Sequence, residues 1–328
     1  MMKISNTVAS SIGNGIADDA LKDEDNGFWL AGLPVQIRSV WKERFLWIRW
    51  VDRLAEQDQI VQPGGQQFPA FYRAWKRLYH CRFLAPSDRH WHVLRAIEST
   101  WFLEDIQGLH QLEIEAWNCY MEAIADYHRP QLTIATLQEY ETMLDRLAGA
   151  CFQLLPFLED HHRAIARRFG LIDQFYNNLR DLYEDAQQGI CYFPTDVLAR
   201  FGLTQHQILT MSCFQHPGYQ PLMKFWVETY LARLRQRNLG LLFAQDLHPA
   251  WQCLTVWFIH RYLRIEQILQ DCQYNFVTFA EQYWPAVQQD LDQQSAQLKQ
   301  GNWLERSRLE LKSSEIAKFV ERPSLAMQ

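Results

Sequence analysis

Apolar side chains recur along most of this chain at intervals of three and four residues, the repeat that places them on one side of a helix. Between 222 and 234 the stripe takes in Leu222, Phe225, Trp226, Thr229, Tyr230 and Ala232, with charges among the remaining positions. The pattern breaks where turn-forming residues cluster, at 62–69 (QPGGQQFP), 85–88 (APSD), 128–131 (HRPQ), 216–220 (HPGYQ) and 247–249 (LHP). No segment shows the period of two that a half-buried strand needs, and no block of sequence repeats. The predicted class is all-α, with helix following helix.

Composition supports that reading and adds limits. Glycine and proline number 14 and 12 in 328 residues, below average usage of about 7% and 5%, so turns are few and helices long. A hydrophobic share of 48% suffices for a real core. No break between 28 and 285 has linker composition, so residues 28–285 are expected to form one helical domain. Residues 1–27, rich in Ser, Asn, Gly and Asp, read as a disordered leader, too short in apolar run and lacking the basic start of a signal peptide. From 286 to 328 Gln, Asp, Ser and Lys dominate, which predicts a polar C-terminal helix or tail.

The net charge of -6 is dispersed, and no Lys/Arg-rich run interleaves with aromatics, which argues against a nucleic-acid partner. Seven cysteines, an odd number without a CxxC pair, read as reduced thiols of a cytoplasmic protein. No run of 18 apolar residues predicts a transmembrane span, which leaves peripheral membrane contact open. His90 and His92, and His161 and His162, stand beside acids but lack a third ligand at zinc spacing, so surface or capping roles are expected.

Candidate chemistry lies on two helices. In 45–57 (FLWIRWVDRLAEQ) Arg49, Asp52 and Glu56 share one face. In 174–185 (QFYNNLRDLYED) Gln174, Asn177 or Asn178, Asp181 and Asp185 do the same. Such stripes are often solvated, and Arg49 and Arg180 could simply form intrahelical ion pairs, Arg180 with Glu184. The neighbours favour burial: Phe45, Leu46, Trp47, Ile48, Trp50 and Val51 flank Asp52, and Phe175, Tyr176, Leu179, Leu182 and Tyr183 flank Asp181. Carboxylates on mostly apolar helices are costly unless paired or metal-bound, so two pairs predict cations between them. Magnesium fits the ligand type, and it completes its octahedron with waters and substrate phosphates, which implies a diphosphate.

These residues resemble the squalene and phytoene synthases, which join two prenyl diphosphates head to head. Residues 26–38 (NGFWLAGLPVQIR) are similar to the family's opening helix, 49–56 (RWVDRLAE) to its first aspartate motif, RxxDxxxD, and 146–149 (RLAG) to its "YCYRVAG" helix. Residues 169–194 (FGLIDQFYNNLRDLYEDAQQGICYFP) resemble its second motif through the order Q-xx-N-xx-RD-xx-ED-xxx-G-xx-Y-x-P. Residues 221–234 and 261–277 follow its last two helices. A lone DxxxD is weak, whereas the longer order is specific.

The resemblance implies a single antiparallel bundle of the isoprenoid synthase type around a central apolar cavity. It implies Mg2+ bound by Asp52, Glu56, Asp181 and Asp185, with Arg49, Gln174, Asn177 and Arg180 against the diphosphates and prenyl chain. It also implies C15 or C20 prenyl diphosphate substrates and a squalene- or phytoene-like product of carotenoid, sterol or hopanoid type. A squalene-like product adds NADPH, for which no Rossmann glycine fingerprint is present. No individual catalytic residue is assigned, and the oligomeric state is not addressed.

The chain departs from the pattern at Glu56 (usually Asp), Phe45 (usually Tyr), Met143 and Leu144 (the "YC"), Ile190 (usually Arg) and Asn26 (usually Ser). Two readings follow. Retention of four acids favours a divergent prenyltransferase, and loss of the phenols favours a member that has lost condensation and acts as a prenyl-lipid holder or assembly factor.

Overall fold

The computed structural model describes residues 16–58, 62, 64–88, 91–103, 108–129, 131–244, 246–298 and 319, with side chains described from 21 to 295 and at 319. Among the described residues there is helix and turn and no strand, as the periodicity predicts.

Helix α1 (Ile16–Gly27) leads through a short 3-10 turn (Phe28–Gly32) into α2 (Val35–Glu56). Helices α3 (Gln67–Cys81) and α4 (His92–Ile97) follow, with a π turn at Glu98–Leu103, and then α5 (Gln111–Tyr127). Helix α6 (Leu137–Leu144) starts where Thr136 accepts a bond from the Glu139 N–H, and runs through a π turn (Asp145–Gly149) into α7 (Ala150–Gln153). Helices α8 (Arg163–Arg180) and α9 (Leu182–Gln187) meet at Asp181. Short helices α10 (Thr195–Arg200) and α11 (Gln205–Leu209) precede α12 (Tyr219–Lys224), which continues through a π turn (Phe225–Tyr230) into α13 (Leu231–Asn238). Helices α14 (Pro249–Asp271) and α15 (Phe276–Leu298) close the bundle.

Helix α2 shows why the acids face inward. Trp41, Trp47, Val51, Leu54 and Ala55 are buried on one side, while Arg49, Asp52 and Glu56 occupy the adjoining half-buried strip. Helix α8 is buried around most of its circumference, including Phe169, Ile172, Phe175, Tyr176 and Leu179, which marks it as the central helix. It packs against the Asp145–Gly149 π turn, α7, α13 and α14. At Gly170 the approach is backbone to backbone: an added Cβ would lie 2.3 Å from the Ala148 carbonyl oxygen. Gly170→Ala should therefore cost about 1–3 kcal/mol, read as a lower midpoint in chemical unfolding, and an unchanged midpoint would contradict this packing.

The structure differs from the expected domain boundaries. Residues 16–27, read as part of a disordered leader, are helix α1, and residues 1–15 lie outside the described residues. The polar composition that suggested disorder belongs to charges paired with other helices: Asp23 binds Arg53 at 2.5 Å, and fully buried Asp25 binds Arg264. At the other end α15 passes through Pro285 to Leu298, so the composition shift at 286 is not a structural boundary. Of the predicted tail, 299–318 and 320–328 lie outside the described residues, and Phe319 is buried over Arg235, 4.4 Å from guanidinium carbon to ring centre.

Two pockets, of about 470 and 480 Å³, are lined by Gln66, Gln67, Ala70, Asp88 and Trp91 and by the 157–159 and 246–252 turns. The core is rich in rings. Trp29 and Trp41 meet edge to face at 4.9 Å, Trp41 meets Trp251 at 5.4 Å, and Trp47, Trp101 and Trp117 form a second cluster at 5.5–6.5 Å. Arg44 is buried over Trp47 and Trp101, and burial lowers its pKa to about 10 against the charges of Glu43 and Glu113.

Candidate functional site

Helix α2 carries Asp52 and Glu56 one turn apart, and the break between α8 and α9 carries Asp181 and Asp185. The break has a local cause. Asp181 caps α8 with φ -93° and ψ 9°, while its N–H still bonds the Asn177 carbonyl at 2.9 Å. The turned carboxylate receives the preceding Arg180 in a bidentate pair, Nε to Oδ1 at 2.6 Å and Nη2 to Oδ2 at 2.8 Å. Arg180 thus does not pair with Glu184, which accepts instead from Trp284 Nε1 at 3.3 Å.

The two acidic pairs sense one another. Burial pushes the Asp185 carboxyl well above the usual range, and Asp181, Glu184 and Glu56 push it further, against the pull of Lys22. Glu56 is raised by burial and by the Asp52 charge, with Arg49, His128 and Lys22 opposing. Asp52 behaves oppositely: burial raises it, but the His128 hydrogen bond and the charges of His128, Arg49 and Lys22 outweigh burial and lower it. Asp181 also falls below the usual range, because Arg180 and Lys22 overcome burial. Tyr192 is pushed well above its usual pKa by burial and then by the charges of Asp185, Glu56, Asp52 and Asp181.

The cations holding this charge together come partly from outside the motifs. Lys22 on α1 reaches Asp181 Oδ2 at 2.6 Å. Arg49 contacts Asp23 Oδ1 at 2.9 Å and Asp52 Oδ2 at 3.5 Å. His128, closing α5, sets Nε2 3.1 Å from Asp52 Oδ1. A ligand atom from each of Asp52, Glu56 and His128 falls within 4.8 Å of the other two, which a single metal ion could bridge.

The remaining predicted contacts are structural in this state. Gln174 donates to Asn178 Oδ1 at 2.9 Å, and Asn178 donates to the buried Tyr140 hydroxyl at 3.0 Å. Asn177 donates to Asp173 at 3.1 Å and accepts from Arg261 at 2.8 Å. Gln174 and Asn177 therefore brace α8 on the predicted face, with their side chains bonded to Asn178, Asp173 and Arg261. Arg53 joins Arg49 on Asp23 rather than turning away. Asp126, beside the departed "YC" helix, is exposed and paired with Arg146 at 2.7 Å.

Sequence reading missed Lys22, His128 and Tyr192. For Tyr192 the G-xx-Y-x-P order was a usable signal, and for Lys22 and His128 the sequence offered none beyond proximity to a motif or a turn.

Residues 44–287 match the squalene/phytoene synthase family. The chain belongs to the squalene/phytoene synthase family. Its fold agrees: a dehydrosqualene synthase in complex with ligand superposes with TM-score 0.54 at 15% identity, over 84% of this chain and 95% of that one. The squalene synthase HpnC from Alicyclobacillus acidocaldarius superposes with TM-score 0.50 at 16% identity, over 75% of this chain and 99% of that one. No curated protein sequence matches the chain. Among the described residues of this family member, no helix is long and apolar enough to cross a membrane.

Proposed function

We propose that this family member binds prenyl diphosphates of C15 or C20 length through divalent cations on Asp52, Glu56, Asp181 and Asp185 and joins two of them head to head with loss of diphosphate. The observation that supports it is that Glu56 on α2 helps raise Asp185 on α9, while the Lys22 ammonium group acts on both residues. Carboxylates crowded closely enough to raise one another's pKa form a hard oxygen donor set short of positive charge, which fits Mg2+. When bound, the cation supplies charge neutralisation for the departing diphosphate, so that the allylic C–O bond ionises without a strong acid.

The protein's own groups have complementary work. Arg180 is 3% exposed, and its Nη1 is buried without a hydrogen-bond partner, so a phosphate oxygen would satisfy it. Lys22 holds Asp181 charged until a phosphate or metal replaces it. Tyr192 stays protonated beside the acids and offers a donor hydroxyl. The indole and phenyl faces of the core keep water out, and some would stabilise an allylic cation by the electrostatics that bind ammonium ions. A squalene-like product would also need NADPH.

A second reading is a non-catalytic holder of prenyl lipid or an assembly factor. It is favoured by Lys22 and Arg180 already neutralising Asp181. Purified protein with Mg2+ and C15 or C20 prenyl diphosphate should release pyrophosphate and yield an extractable hydrocarbon identifiable by mass. Absence of release at every chain length, with magnesium-dependent thermal stabilisation by pyrophosphate retained, would leave the binding reading. Absence of both would remove the metal site itself.

A further inference from the structure

We propose that the Asp52–Glu56 end of the acidic cluster is a mixed oxygen–nitrogen metal site, in which His128 Nε2 is the third ligand and selects a borderline cation of the cobalt or zinc type over magnesium. This rests on reading Asp52 and Glu56 as metal ligands, and not on the condensation.

The geometry carries it. Two atoms bound to one cation at about 2.0–2.2 Å each can lie no further apart than twice that bond. Tetrahedral donors at that bond length lie about 3.3–3.6 Å apart, and ligand atoms of Asp52, Glu56 and His128 already fall within 4.8 Å of one another, so closure on an ion needs shifts of up to about an ångström. The donors are also well placed by backbone. Asp52 and Glu56 stand one turn apart on α2, and His128 is fixed at the end of α5 by its N–H bond to the Ile124 carbonyl at 2.9 Å. The two helices are tied by the Tyr120 hydroxyl donating to the Ile48 carbonyl at 3.2 Å.

A second observation concerns the imidazole itself. His128 is 11% exposed, and its Nδ1 is buried without a hydrogen-bond partner. Nε2 is the nitrogen that faces Asp52 Oδ1, at 3.1 Å, so an ion bound between them would take the place of the proton that Nε2 now donates. Imidazole nitrogen is a poor partner for magnesium and a good one for later first-row ions. The Asp181–Asp185 end differs, because the side chains set around it are Lys22, Arg180, Glu184 and Tyr192, none of which is a nitrogen ligand. The two ends of one cluster therefore ask for different ions, a borderline one at Asp52–Glu56–His128 and a hard one at Asp181–Asp185.

The test uses the full chain with metal alone and no substrate, so that failure of condensation does not bear on it. Calorimetric titration of wild type should show Co2+ bound at least about tenfold more tightly than Mg2+, with a visible absorption band. His128→Asn should weaken Co2+ by roughly ten- to a hundredfold and leave Mg2+ unchanged, and His128→Asp should keep metal binding while the preference for Co2+ falls. Because a variant can misfold, wild-type protein with isotope-labelled histidine gives an independent readout: Co2+ should strongly shift one imidazole, assigned to His128. Unaltered Co2+ affinity in a folded His128→Asn variant, or no shifted imidazole, would show a plain His–Asp ion pair and overturn the proposal.

Discussion

Asp185→Asn should lower pyrophosphate release from a C15 or C20 prenyl diphosphate by about two to three orders of magnitude, the cost of losing one preorganised charge-stabilising group. In metal-free protein the same variant should be at least as thermally stable as wild type. The sign follows from its surroundings. Burial, Asp181, Glu184 and Glu56 raise the folded-state pKa of Asp185, so the folded protein holds that proton more tightly than the unfolded chain does. Its stabilising contribution is present at acid pH and is lost as pH rises from the ordinary carboxylate range through the raised folded value. An amide carries no such charge, and the loss disappears with it. Asp181→Ala, four residues earlier, should behave in the opposite way. Its folded pKa is depressed by Arg180 and Lys22, so its contribution is present at neutral pH and disappears as pH falls through the folded value. Removing it strands Arg180, which is 3% exposed. Thermal unfolding in EDTA beside a coupled pyrophosphate assay checks both. Equal destabilisation by the two substitutions would show that the acids do not share one field.

Much of the helical framework could be read from periodicity, because a stripe with period 3.6 over 15 to 23 residues leaves little room for another element. The acids were legible for the same reason, since i,i+4 spacing fixes a common face whatever the tertiary fold. Lys22 was not. Its segment, LKDEDN, is polar enough to read as a solvated leader, and what orders it is a set of ion pairs with Arg49, Arg53, Asp181 and Arg264, all far along the chain. His128 stands in a turn cluster that marks only where α5 ends, and its distance to Asp52 is a tertiary quantity. Arg180 was read as a diphosphate contact or, alternatively, as an intrahelical partner of Glu184. The break at Asp181 redirected it, and nothing in an uninterrupted RDLYED pattern announces a break.

The largest stability effect is expected at a residue that belongs to no motif. Asp25 is fully buried, and both of its carboxylate oxygens accept from Arg264 at 2.8 Å. The Tyr283 hydroxyl lies 3.4 Å away, and Trp257 Nε1 bonds the Asp25 backbone carbonyl. Next to it Asn26 accepts from Arg261 at 2.7 Å, and Arg261 continues to Asp173 and Asn177 on α8. Through this network α1 is locked to α14, α15 and α8. Asp25→Ala leaves part of a buried guanidinium charge uncompensated and should cost about 3–5 kcal/mol, whereas replacing Asp25 and Arg264 together by apolar residues of similar volume should recover much of the loss. Retention of Asp290 on Arg264 at 2.6 Å keeps the single-variant cost toward the lower end. The functional consequence separates from the structural one. Release of α1 takes Lys22 away from Asp181, so divalent cations should bind the four acids of Asp25→Ala at least as tightly as wild type even though its unfolding midpoint falls. If instead Asp25→Ala unfolds like wild type, the helix is not held by this network, and Lys22 has no fixed place among the acids.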